Sequence, residues 1–112
     1  MSKENELKII EKCKDYIDLI SGLYKIKLEY PEIFFNIKGR AAGKAYLEKW
    51  IIKFNNNYID NNLDNFLNDT VPHEIAHLIA WKLYKNTGHK TTWKKIMKDL
   101  NCKNINRCHN YN

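Results

Sequence analysis

Residues 70–81 read Thr70-Val71-Pro72-His73-Glu74-Ile75-Ala76-His77-Leu78-Ile79-Ala80-Trp81, and the fold is decided around them. Val71, Ile75, Leu78 and Ile79, with Phe66 and Leu67 before them and Leu83 after, recur at helical spacing. The spacing predicts a helix capped by Asp64 or Asn65 and running through to Gly88. Pro72 removes one backbone donor inside it and predicts a kink, or a fresh helix start, one residue ahead of His73. His73-Glu74-Ile75-Ala76-His77 is an H-E-x-x-H pattern. Residues four apart on a helix lie one above the other, so two imidazoles leave one face and can converge on one cation at ~2.0–2.1 Å per bond. Glu74 lies too far round the helix to be a good third ligand. It is well placed as the catalytic base that takes a proton from water attacking a carbonyl.

A catalytic zinc needs a third protein ligand and an open fourth position. No glutamate follows Glu74, which removes the thermolysin-like arrangement, and Ala80 and Leu83 stand where a metzincin requires Gly and His. The downstream candidates are His89, Asp99, Cys102, Cys108 and His109. His89 is favoured because it lies on the connection after Gly88 that must fold back past the metal face before a new helix begins. Asp99 sits at a less convenient point of that helix, and Cys102 and Cys108 lack a C-x-x-C partner elsewhere. The expected cofactor is therefore one Zn2+, with His73, His77 and His89 as ligands.

Working outward, Leu7, Ile10, Cys13, Ile17, Ile20 and Tyr24 form the apolar stripe of an N-terminal helix that ends near Gly22. Cys13 falls on that stripe as a buried structural thiol. After Pro31, the alternation of Ile33, Phe35 and Ile37 reads as a strand. Ala45–Leu47 and Trp50–Phe54 read as two more, the latter with Trp50, Ile52 and Phe54 on one face and available to pair with an extended substrate. The Asn-rich tract 55–62 reads as a loop. Thr91 or Thr92 caps a last helix whose apolar positions are Trp93, Ile96, Met97 and Leu100. The expected architecture is α+β and zincin-like: an N-terminal helix, a small three-stranded antiparallel or mixed sheet, the H-E-x-x-H helix and a C-terminal helix.

The chain has 112 residues, 44% of them hydrophobic and 29% charged, the balance of one soluble domain over 1–112 without a separate zinc ribbon. No apolar run is long enough to span a bilayer, so no membrane partner is expected. The polar start and the sparse cysteines Cys13, Cys102 and Cys108 point to a reducing cytoplasm. The net charge is +6, and the excess is concentrated after Ile75, where Asp99 is the single acid against seven Lys and one Arg. Lys90, Lys94 and Lys98 form a stripe at i, i+4 and i+8, a face suited to phosphate.

The segment 70–81, with His89 and Trp93 following, resembles the SprT-like zinc metalloprotease family, which pairs a V-P-H-E-x-A-H helix with a third His opening an H-G-x-x-[WF] segment. Residues 41–47 and 51–55 resemble that family's A-G-x-A-x-L and x-I-x-L-N strands, and Asn106-Arg107-Cys108-His109 its R-C-H ending. Lys90 replaces the usual Gly after the third ligand, and Gly88 precedes the His instead. The resemblance implies a zinc endopeptidase acting on DNA-associated or DNA-crosslinked proteins, with single-stranded or damaged DNA as activator, in a bacterial or phage-infected cell or at the nucleoid; a monomer is expected. Two rivals share the same residues: a non-catalytic zinc-containing DNA-binding or interaction module, in which Glu74 is dispensable, and a hydrolase of another class. Arg40, Tyr46, His109 and Tyr111 are all chemically able to stabilise an oxyanion.

Overall fold

The computed structural model describes residues 3–100. Helix α1 (Lys3–Tyr24) is followed by strands β1 (Glu32–Phe34), β2 (Gly43–Tyr46) and β3 (Ile51–Phe54), short helices α2 (Asn56–Ile59) and α3 (Leu63–Asn65), a π-helical turn (Phe66–Thr70), and helices α4 (Val71–Tyr84) and α5 (Thr91–Asp99). The fold is thus α+β with a mixed sheet of order β1-β3-β2, in which β3 runs parallel to β1 and antiparallel to β2. Among the described residues, no helix is long and apolar enough to cross a membrane.

The core lies between α1, α4, α5 and one face of the sheet. Ile9, Cys13, Ile17 and Ile20 of α1, Ile75, Leu78 and Ile79 of α4, Ile96 and Met97 of α5 and Ile52 and Phe54 of β3 are almost wholly buried. Each such side chain contributes ~1.5–3 kcal/mol relative to exposure. The Cys13 thiol is buried as expected, and that burial pushes its pKa well up, leaving it inert. The buried face of α1 keeps the expected Cys13, Ile17 and Ile20 and departs from expectation towards its N-terminal end. Leu7 is exposed and Ile10 half-buried, while Ile9 and Tyr16 point inward, the Tyr16 hydroxyl donating to the Leu67 carbonyl at 3.1 Å.

Both long helices stop on a lysine rather than at the expected glycine. Lys25 (φ 55°) and Lys85 (φ 59°) adopt the left-handed conformation. The next amide then reaches back, from Ile26 to the Ser21 carbonyl at 3.1 Å and from Asn86 to the Ala80 carbonyl at 3.4 Å. Gly22 is consequently inside α1, and α4 ends well before Gly88. Pro72 falls in the first turn of α4, directly after the π-helical turn. In that turn Val71 bonds back to Phe66 rather than to the residue four before it, so the helix widens where the proline ring would otherwise clash. The cap of α5 is Lys90, with no side-chain bond, and Thr92 instead accepts from the Asn86 side-chain amide.

Strand β1 is shorter than the alternation of Ile33, Phe35 and Ile37 suggested, and Trp50 precedes β3 rather than opening it. Part of the tract 55–62 is helical, and Asn55, read as the start of a loop, is fully buried. Its Oδ1 accepts from the Asn57 amide at 3.0 Å and caps α2, while its Nδ2 donates to the carbonyls of Gly39 and Ala41 at 3.0 and 3.1 Å. These bonds fix the loop that delivers the chain into β2. Asn55→Ala should cost about 1–2 kcal/mol, since it removes a cap and two hydrogen bonds to the loop carbonyls. Urea unfolding should show this as a lower midpoint at unchanged slope. A midpoint equal to wild type would mean that the loop is held by other contacts.

Candidate metal centre

Two elements build the centre. Helix α4 carries His73, Glu74 and His77, and the connection from Lys85 to Lys90 returns His89 to the same face. The three Nε2 atoms form a small triangle: 3.2 Å from His73 to His77, 2.9 Å from His77 to His89 and 3.1 Å from His89 to His73. A neutral imidazole carries one N–H and one lone pair, so three Nε2 atoms aimed at one point suit a shared cation better than mutual hydrogen bonds. A tetrahedral zinc with bonds of ~2.0–2.1 Å would set its nitrogens ~3.3–3.4 Å apart, so the triangle fits that ion after a slight opening. Among the described residues, this is the one cluster of His, Cys, Asp or Glu that converges in this way.

Glu74 is almost fully buried beside the triangle, with Oε2 4.0 Å from the His73 Nε2. Burial pushes its carboxyl up to about 8, a rise held back by the Ala45 backbone amide that donates to it. That bond ties α4 to β2. It requires close approach, and Gly43 provides it: a Cβ there would stand 3.3 Å from the Glu74 Cγ and 3.1 Å from the Phe54 ring. The resulting cleft, about 250 Å3, is lined by Gly43, Lys44, Ala45 and Leu47 on one side and by His73, Glu74, His77, Thr87 and His89 on the other.

Beneath the histidines lies Trp93, buried, with its ring centroid 5.0, 5.8 and 4.6 Å from those of His73, His77 and His89. Its indole N–H donates to the His73 carbonyl at 3.3 Å. A single side chain of α5 therefore supports all three rings. Helical spacing marks Trp93 only as a core position; that it backs the centre follows from the crossing of α5 on α4.

The SprT-like family matches residues 13–110, nearly the whole chain. The chain belongs to the SprT-like family. Curated proteins named Protein SprT agree. That of Vibrio parahaemolyticus is 33% identical over 98 residues, covering 87% of this chain and 59% of its own length. Those of Pseudomonas putida strain F1 and Pseudomonas entomophila are 36% and 38% identical over 92 and 90 residues. They are covered over 56% and 55% of their lengths, so this chain spans somewhat over half of the relatives it matches. No solved structure gives a significant match.

In this SprT-like chain the structure brings His89, rather than Asp99, to His73 and His77. The Asp99 carboxylate faces α1 and accepts from the Tyr24 hydroxyl at 2.5 Å. Cys102, Cys108, His109 and Tyr111 lie outside the described residues. Of the other oxyanion candidates, neither Arg40 nor Tyr46 lines the cleft, whereas Lys44 and Thr87 do. Lys90, Lys94 and Lys98 are all exposed, and the neighbouring Lys95 lies off their stripe, its Nζ 5.2 Å from the Tyr24 ring centroid. The strand beside the centre is β2. Strand β3, expected to pair with substrate, is the central strand and is hydrogen-bonded on both sides.

Proposed function

We propose that this protein is a zinc-dependent endopeptidase acting on DNA-associated or DNA-crosslinked proteins, with DNA as activator. The observation that carries the reading is the buried Glu74 carboxylate set beside three converging imidazoles, on the wall of an open cleft. A purely structural zinc site is closed by four protein ligands, whereas three histidines facing a cleft leave room for a reacting group. His73, His77 and His89 would hold the ion, which supplies Lewis-acid polarisation of the scissile carbonyl and acidification of the attacking water.

The remaining work falls to the chain itself. Glu74 accepts the proton of the attacking water and passes it to the departing amine nitrogen. Its burial favours this role, because a carboxylate drawn from water is a stronger base, and the Ala45 amide keeps it pointed into the cleft. In an antiparallel pair a residue's N–H and C=O share one edge, so the Ala45 carbonyl lies on the edge of β2 turned away from β3. An extended substrate can bond along that edge through its main chain, which gives affinity with little demand on sequence.

The deciding experiment measures zinc content beside cleavage of an unfolded protein, with and without single-stranded DNA. Zinc-loaded protein that cuts, and cuts faster with DNA, supports the reading; zinc-loaded protein that never cuts removes it. The DNA contact is tested separately by neutralising Lys90, Lys94 and Lys98 together. Binding to single-stranded DNA should weaken, and its salt dependence should flatten by about 0.7–0.9 log units for each phosphate that is no longer neutralised. Coincident slopes for wild type and the triple variant would show the stripe to be an ordinary solvated surface.

A further inference from the structure

A second cavity, about 420 Å3, adjoins the metal cleft, and Leu47 lines both. Its aromatic walls are Trp50 and Trp81. Trp81 follows His77 by four residues on α4, so it stands one turn further along the metal-bearing face. It is only partly buried and is not among the described side chains packed on the core. Lys85 Nζ sits 3.9 Å from its ring centroid. A large indole held on a rigid helix beside a catalytic cleft, with no packing duty in the core, is placed to meet a ligand.

Trp50 packs partly against the core and is also held at a conformational cost. Its φ of 59° lies in the left-handed region, where glycine would close the turn between β2 and β3 freely and a bulky residue is strained by ~1–2 kcal/mol. Three bonds hold it there. Its amide donates to the Leu47 carbonyl at 3.3 Å, its carbonyl accepts from the Glu32 amide at 3.2 Å, and its indole N–H donates to the Glu29 carbonyl at 2.8 Å. Strain maintained by its surroundings collects where a side chain must be aimed, and here it aims an indole at the cavity. The charged lining, Lys27 and Lys82 against Glu29 and Glu48, cancels in pairs. Lys85, over the Trp81 ring, adds a single positive charge beside it, so what the cavity chiefly offers is aromatic surface.

We propose that this cavity is a subsite for a bulky aromatic or aliphatic side chain of the protein substrate. The chain would reach it by running along β2 through the metal cleft and past Leu47. One helical turn of α4 is ~5.4 Å and an extended chain advances ~3.3 Å per residue, so the side chain belongs to a residue ~1–2 positions from the bond cut. The inference rests on the endopeptidase reading, and its test separates the two.

The zinc-loaded full chain is given quenched peptides of one unstructured sequence, in which each position within four residues of the scissile bond is changed in turn among Trp, Leu, Lys and Ala. One position should favour Trp and Leu over Ala by about tenfold or more in kcat/KM, mostly through KM. Trp81→Ala should reduce that ratio to within about twofold while retaining zinc content and melting temperature, since alanine suits a helix and the core is untouched. A ratio that survives Trp81→Ala, or peptides cut without preference, overturns the subsite. A second arm needs no cleavage: N-acetyl-phenylalaninamide is titrated against 15N-labelled protein. The indole N–H signals of Trp50 and Trp81 should shift saturably, that of Trp93 should not, and N-acetyl-lysinamide should shift none of them. Shifts without any cleavage would sink the peptidase reading and keep the subsite, whereas no shift would sink the subsite. Shifts produced by oligothymidylate and not by the phenylalanine amide would reassign the cavity to nucleobases and overturn the proposal.

Discussion

Zinc-loaded Glu74→Gln should keep its metal and its fold and cut an unfolded protein at least about a hundredfold more slowly than wild type, because a general base contributes typically ~10²–10⁴. The side chain is close to isosteric, and its oxygen can still accept from the Ala45 amide, so the geometry of the cleft is preserved. What is lost is the ability to take a proton. A variant that binds zinc and cuts at the wild-type rate would end the assignment of Glu74 as base. It would favour the rival reading, in which the metal is structural.

The same substitution has a second signature in protein stripped of metal with a chelator. There burial raises the Glu74 carboxyl from its ordinary 4.5 to about 8 in the folded state. A raised value means that the native state holds its proton where the unfolded chain has already released it. Stability is therefore fully present below the ordinary value and is lost as pH climbs towards about 8. Glutamine never ionises and escapes that loss. Metal-free Glu74→Gln should consequently melt higher than metal-free wild type near pH ~8, by at least about 1 kcal/mol or roughly 4 °C. The gap should narrow on acidification. Equal melting at both ends would show that the buried carboxyl costs the apo fold nothing.

The parts of the site that depend on local geometry are legible in the chain. His73 and His77 share a face because a helix repeats every 3.6 residues, and His89 is isolated by its place between two helices. The buried set of α5, Trp93, Ile96 and Met97, with Leu100 just past its end, likewise follows from periodicity. Properties set by tertiary pairing are not legible. Alternation in residues 50–54 says which side chains face inward and nothing about which strand takes the sheet edge, so β2 could not be told from β3 as the cleft wall. The apolar residues of α1 cover more than one stripe, and only the partners on α4 select Ile9 over Leu7. Asn55 was hidden by its polarity, because a buried asparagine looks like a loop residue until its carbonyl partners are placed. Trp81 carries no signal of its own until the cavity beside it is seen.

His89→Ala should be the most damaging single change for metal retention. His73 and His77 are held in register by the helix whether or not metal is bound, whereas His89 arrives on a connection and is itself exposed. Removing it leaves two imidazoles, and the loss should exceed the ~10–100-fold in affinity typical when only a supporting partner of a ligand is removed. Because the ring adds little to the core, the metal-free variant should melt like metal-free wild type. The difference should appear on adding zinc: where wild type is loaded at ~100 times its Kd, it gains ~2.7 kcal/mol, and the variant gains almost none. Competition against a chromophoric chelator gives the affinities, and melting with and without zinc gives the stabilities. Wild-type affinity in His89→Ala would mean that a residue beyond Leu100, such as Cys108 or His109, completes the site. Zinc-edge anomalous density would then identify which one, and the triangle of Nε2 atoms would no longer define the metal centre.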